Sequence, residues 1–191
     1  MADQTITAQK RTVATASDKT AGLQVRDLIL IAVLLAAGAV LKLTVASFLS
    51  FAGMKPNFVI AMYCLAIILT RPKVPQALII GLIAGLMCQI PMLNATPLVN
   101  IPSEMLGALA CGLLIHVPMK FGKKADVNPF VTTFLSTVVS GYTFAFIVAS
   151  MNGIALPAAF VMYAVMVFGT AAFNAILVQI LVLPLRSVLK K

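Results

Sequence analysis

The sequence is poor in charge. Charged residues make up 10% of the 191 positions, five of them acidic, and there is a single histidine. A soluble domain carries roughly 25% charged residues, so this scarcity excludes a water-exposed surface over most of the chain. The three cysteines, Cys64, Cys88 and Cys111, lie in three different apolar stretches with no pairing or metal-knuckle spacing, which reads as small core hydrophobes rather than a disulfide framework. Nucleotide fingerprints, HExxH, GxSxG and paired intramembrane carboxylates are all missing, so an enzyme is not indicated. No phosphate-binding loop is present either, and ATP-driven work would need a partner that hydrolyses it. His116 falls at the end of an apolar run beside a lysine cluster and reads as an interfacial residue. No metal or cofactor is expected.

What the chain has instead is hydrophobicity, 61% of residues with a mean hydropathy of +1.06. Six apolar runs span about 28–50, 57–70, 74–93, 101–118, 129–150 and 157–183. A membrane-crossing helix needs about 20 apolar residues, with a range of about 17 to 25. The second run is therefore short, and it either recruits Gly53 to Pro56 or stands nearly upright. The expected fold is an all-α integral membrane protein, a six-helix bundle over residues 27–191 behind a disordered N-terminal tail over 1–26; five helices and a re-entrant segment are the alternative. The tail lacks the apolar core of a cleaved signal peptide.

The basic residues orient the bundle. Twelve of the fourteen sit before the first run, between the second and third, after the fourth and at the C-terminus. By the positive-inside rule these positions, and both termini, are cytoplasmic. The net charge of +9 then reflects topology and attraction to anionic headgroups rather than a nucleic-acid face. Subtracting these residues leaves Lys42 and Lys55 as the bases, and Glu104 as the acid, outside the cytoplasmic side.

Lys55 lies in the turn Ser50 to Asn57, just before Pro56, which suits the first turn of a helix. Glu104 lies in a second polar turn, Asn94 to Glu104, where Asn100 or Ser103 could cap the fourth helix and Glu104 could complement its positive end. Each charge has a bland reading, a snorkelling anchor for Lys55 and a capping role for Glu104. Their coincidence with Asn57, Asn94, Thr96 and Asn100 favours a receptor for a zwitterion, in which the lysine meets a carboxylate and the glutamate an ammonium. Lys42 lies about 22 Å into the first helix at about 1.5 Å per residue, close enough to the outer interface to snorkel, and ranks behind Lys55. Tyr142, Phe144, Phe146, Phe160 and Tyr163 could line a pocket with Asn152, although helical spacing also fits packing among themselves.

Small residues at four-residue spacing mark seams for close helix approach. They occur at Ala32/Ala36, Gly81/Gly85 and Ala108/Gly112. The glycine pair reads as an internal seam, whereas Ala37, Gly38 and Ala39 widen the first surface enough to receive another protein.

With its six apolar runs, basic cytoplasmic tail, Ala32-x-x-x-Ala36 and polar outer turns, the chain resembles the substrate-binding S-component of an energy-coupling factor transporter. Gly53-Met54-Lys55-Pro56 and Ile101-Pro102 are similar to the tryptophan-transporter branch, in which an acidic residue commonly stands where this chain has Asn57. The resemblance covers about residues 27 to 185. It implies a tryptophan-like ligand near the outer face; the candidate contacts read from the residues themselves are Lys55, Glu104, Asn57, Asn100, Lys42, Asn94, Tyr142, Asn152 and Tyr163. It also implies docking of Ala32 and Ala36 on a membrane coupling subunit driven by two ATPases. A structural or assembly protein without a ligand, and a self-sufficient ion-coupled carrier, are the competing classes; the lack of acids within the helices speaks against the carrier.

Overall fold

The computed structural model describes residues 23–48, 57–90, 96–121 and 125–189. They form six α-helices: α1 Val25–Phe48, α2 Val59–Thr70, α3 Val74–Met87, α4 Asn100–Leu114, α5 Asn128–Met151 and α6 Leu156–Leu189. A 3₁₀ turn, Pro97–Val99, leads into α4, and the two-residue strands β1 Lys120–Phe121 and β2 Ala125–Asp126 pair antiparallel between α4 and α5. The six helices match the six apolar runs. Among the described residues, four segments are long and apolar enough to cross a membrane: α1, the 3₁₀ turn with α4, α5 and α6. The tail expected to be disordered and the stretch from Gly53 to Pro56 lie outside the described residues, apart from the last few tail positions, where α1 already begins.

The shortest helix organises the rest. α2 has 12 residues, about 18 Å at 1.5 Å per residue against a hydrocarbon core of about 30 Å. A helix that is apolar on every side belongs inside. All of Val59 to Leu69 is buried, and α2 packs against each of the other five helices. Its end is set by the backbone. Arg71 adopts a left-handed conformation with φ 46° and donates its N–H to Ile67 O at 2.8 Å, and Pro72 follows, so the helix cannot continue. α3 restarts at once, Lys73 N–H donating to Gln76 Oε1 at 2.9 Å.

α3 and α4 meet along the small residues seen in the sequence. A Cβ added at Gly81 would lie 2.6 Å from both Ala108 Cβ and Glu104 O, and one at Gly112 would lie 2.6 Å from Ala77 Cβ. The seam is therefore internal, and it fixes the height of Glu104. At the opposite end of α4, Asp126 pairs with Arg186 at 3.1 Å. Gln179 Nε2 donates to Asp126 O while its Oε1 accepts from Phe130 N–H, each at 3.1 Å. These contacts tie the α4–α5 connection to α6.

Candidate functional site

Glu104 is fully buried, one turn into α4, rather than part of a surface turn. Asn57, just ahead of α2, donates from Nδ2 to Glu104 Oε1, and Ser140 of α5 donates to Oε2 at 3.3 Å. Tyr63 of α2 faces the same carboxyl group without the geometry of a hydrogen bond. α4 comes this close because residue 107 is glycine: a Cβ there would collide with Tyr63 Oη and lie 2.8 Å from Ser140 Cβ.

The site sits deep along α5 and α6. Asn174, near the middle of α6, donates from Nδ2 to Asn57 O at 3.1 Å and to Thr137 Oγ1 at 3.4 Å. Phe58 packs on Phe173, with ring centroids 5.0 Å apart. Both α5 and α6 run on for several turns past this level. Three buried oxygens in the cluster, Asn57 Oδ1, Tyr63 Oη and Asn174 Oδ1, have no hydrogen-bond partner. An acceptor left empty in a dry interior costs about 1–3 kcal/mol.

Lys42 corrects the expectation of a snorkelling side chain. It is 3% exposed, and its Nζ donates to Cys88 Sγ at 3.4 Å. The ammonium makes no ion pair with Glu104; the ion pair among the described residues is Asp126–Arg186. Gly38 explains the inward turn, because without a Cβ it lets α1 lie against Val59 and Met62 of α2, and Lys42 follows one turn later on the same face. Cys64, Cys88 and Cys111 are buried and free as expected, but Cys88 also serves as an acceptor.

A family model for the tryptophan transporter TrpP matches residues 24–190. The chain belongs to that family. TrpP proteins are S-components of energy-coupling factor transporters, so this is a multi-pass membrane protein with a role in transport, and its substrate is a small molecule like tryptophan. Comparisons with curated proteins and with solved structures give no match.

In this TrpP-family chain the other residues singled out from sequence fall into separate groups. Asn100 does not cap α4 with its side chain; its Nδ2 donates back to Pro97 O at 3.1 Å, and Ser103 Oγ donates to Asn100 O at 3.2 Å. Both are buried on the turn before Glu104. Tyr142 and Tyr163 pack in a cluster between α5 and α6, where Tyr142 stacks on Phe160 at 4.7 Å and on Phe146 at 5.4 Å. Asn152 is exposed at the end of α5 and bonds its own helix through Val148 O. Lys55 and Asn94 lie outside the described residues. His116 is exposed past α4.

Ala32 and Ala36 are exposed on α1, on a face that also presents Ile29, Val33 and Val40. Nothing among the described residues covers them, whereas Gly38 turns toward α2. Sequence reasoning passed over Ser140, Tyr63, Asn174 and Thr137 as substituents of apolar helices. The buried stripe Thr132, Thr133, Ser136, Thr137 and Ser140 on one side of α5 was the available signal.

Proposed function

We propose that this protein is the substrate-binding subunit of an ATP-driven tryptophan uptake system, with Glu104 receiving the ammonium of the amino acid. The observation that carries this is a fully buried acid in a membrane-spanning bundle, held by Asn57 and Ser140 and surrounded by unfilled acceptors. Ionisable groups inside a membrane bundle are expensive and mark ligand or ion paths. The empty oxygens call for a donor-rich group, which an ammonium is. A base on the same side, Lys42 or Lys55, takes the carboxylate. Asn57 and Asn100 shape the floor of the site, with Asn94, Asn152, Tyr142 and Tyr163 as candidate contacts around its opening.

Both termini are cytoplasmic in this proposal and the Glu104 end of α4 faces outward, on the strength of the positive-inside distribution. A cysteine placed at Asn152 should then react with an impermeant thiol reagent from outside, and one at Lys123 should not. Energy comes from a membrane coupling subunit and two ATPases, and the coupling subunit docks on the exposed Ala32/Ala36 face, whose small side chains permit close helix approach.

Reconstitution tests the whole reading. Proteoliposomes containing this chain alone should bind labelled tryptophan without accumulating it, and accumulation should require both the coupling module and ATP. Concentrative uptake by the chain alone under an ion gradient would replace this reading with the self-sufficient carrier.

A further inference from the structure

Lys42 and Glu104 are a buried base and a buried acid with no ion pair between them. Lys42 has three donors and spends one on the Cys88 thiol, a weak acceptor. Glu104 has about four lone-pair sites, of which Asn57 and Ser140 engage two. Cys88 caps α3 less than a turn past Gly85, which lies against the backbone of Asn100 and Ile101, while Gly81 lies against Glu104, so Lys42 Nζ and Glu104 both belong to this end of the α3–α4 seam. Two opposite charges free to move in a dry interior would be expected to close on each other, because their attraction rises as the surroundings lose water. Here they are kept apart. Gly38 seats α1 closely on α2, and Gly81 and Gly85 seat α3 on the backbone of α4, so close packing fixes the helices that carry the two charges.

We propose that Lys42 and Glu104 form a split ion pair that an α-amino acid closes, Lys42 taking the carboxylate and Glu104 the ammonium. The proposal rests on the receptor reading above and assigns within it the residue that holds the carboxylate, on α1 rather than in the turn that carries Lys55. The amino acid brings its two charges on neighbouring atoms and in the right order, so both protein charges gain a partner and the site stays neutral. Tyr63 Oη, Asn57 Oδ1 and Asn174 Oδ1 lie on the Glu104 side and supply acceptors for the remaining ammonium protons. An amine alone would leave Lys42 without an anion, and an acid alone would leave Glu104 without a cation. Selectivity for the intact zwitterion follows from both penalties.

The test uses the full-length protein in lipid nanodiscs, titrated calorimetrically with tryptophan, with tryptamine, which lacks the carboxylate, and with indole-3-propionate, which lacks the ammonium. Lys42→Gln keeps a donor for Cys88 and removes the charge. It should weaken tryptophan binding by about tenfold to a hundredfold, the span for a hydrogen bond to a charged group, and leave tryptamine within about threefold. Lys55→Gln should cost tryptophan less than Lys42→Gln does. Unchanged tryptophan binding by Lys42→Gln, or an equal loss for tryptophan and tryptamine, overturns the proposal, since Lys42 would then be a counter-ion that only positions Glu104. The double variant Lys42→Gln/Glu104→Gln leaves no lone buried charge and carries the test if the single variant does not fold. It should hold tryptophan no better than tryptamine, and a retained preference for tryptophan overturns the proposal. Native protein that binds none of the three ligands defeats the receptor reading itself, a result distinct from native binding with an indifferent Lys42.

Discussion

Two small-residue stripes in this chain share one sequence signature and meet opposite fates. Gly81 and Gly85 of α3 are buried against the backbone of α4, where Cβ atoms would come within 2.6 to 2.8 Å of their neighbours. Ala32 and Ala36 of α1 are exposed, with apolar Val33 and Ile29 beside them. Four-residue spacing of small side chains says that a helix can be approached closely and leaves the identity of the approaching helix open. The first stripe is used up in holding Glu104 at its depth. The second is available to another membrane protein.

The sharpest way to break this contrast is to fill both stripes. Gly81→Val should destabilise the bundle by about 3 kcal/mol or more, because the new side chain meets backbone that cannot give way; the loss should appear as a lowered unfolding temperature of purified protein and vanishing tryptophan binding. Ala32→Leu/Ala36→Leu should do neither. Tryptophan affinity should stay within about twofold while energised uptake falls by more than about tenfold, since only an intermolecular seam is blocked. Equal damage to folding from both changes would mean that α1 packs its alanines inside the bundle.

Gly38 refines the comparison, because it belongs to α1 but faces inward. A Cβ there would lie 3.0 Å from Val59 Cα and 3.1 Å from Met62 Cβ. Gly38→Ala should therefore cost about 1 kcal/mol and shift Lys42, so that binding weakens modestly, whereas alanine-to-leucine changes on the far side of the same helix leave binding alone. The smallest effect belongs to the far end of the bundle. Asp126 and Arg186 are 42% and 27% exposed, and Asp126→Asn should change stability by less than about 1 kcal/mol, with no effect on tryptophan affinity.

The run boundaries in the sequence located all six helices, because hydropathy reports on the absence of water around a segment. It does not distinguish lipid from protein as the apolar neighbour. The central position of α2 was for that reason illegible, although its twelve residues without a polar face fit no other place. α3 stops at Met87, short of the apolar run that contains it, and α6 continues through Pro184 to Leu189, as helices in membranes often do when neighbours satisfy the freed backbone groups.

The site was legible in part, and the division has a physical cause. Glu104 and Asn57 stood out because a lone acid and an amide at the edge of apolar runs are rare, and the structure joins them directly. Lys42 was read as a residue reaching for the interface, since distance along a helix gives depth but its direction depends on Gly38 and α2. Ser140 and Asn174 looked like ordinary helix residues, and their roles come from contacts across α4 and α6 that no local pattern encodes.

The claim on which the account turns is that Glu104 holds the ammonium of tryptophan. Equilibrium binding of tryptophan and of indole-3-propionate to the native protein and to Glu104→Gln tests it directly. The account predicts that Glu104→Gln weakens tryptophan by about tenfold to a hundredfold, the range for a hydrogen bond to a charged group, and leaves the poorly bound acid nearly unaffected. Native-like tryptophan binding by Glu104→Gln, in protein that unfolds at the native temperature, would contradict it.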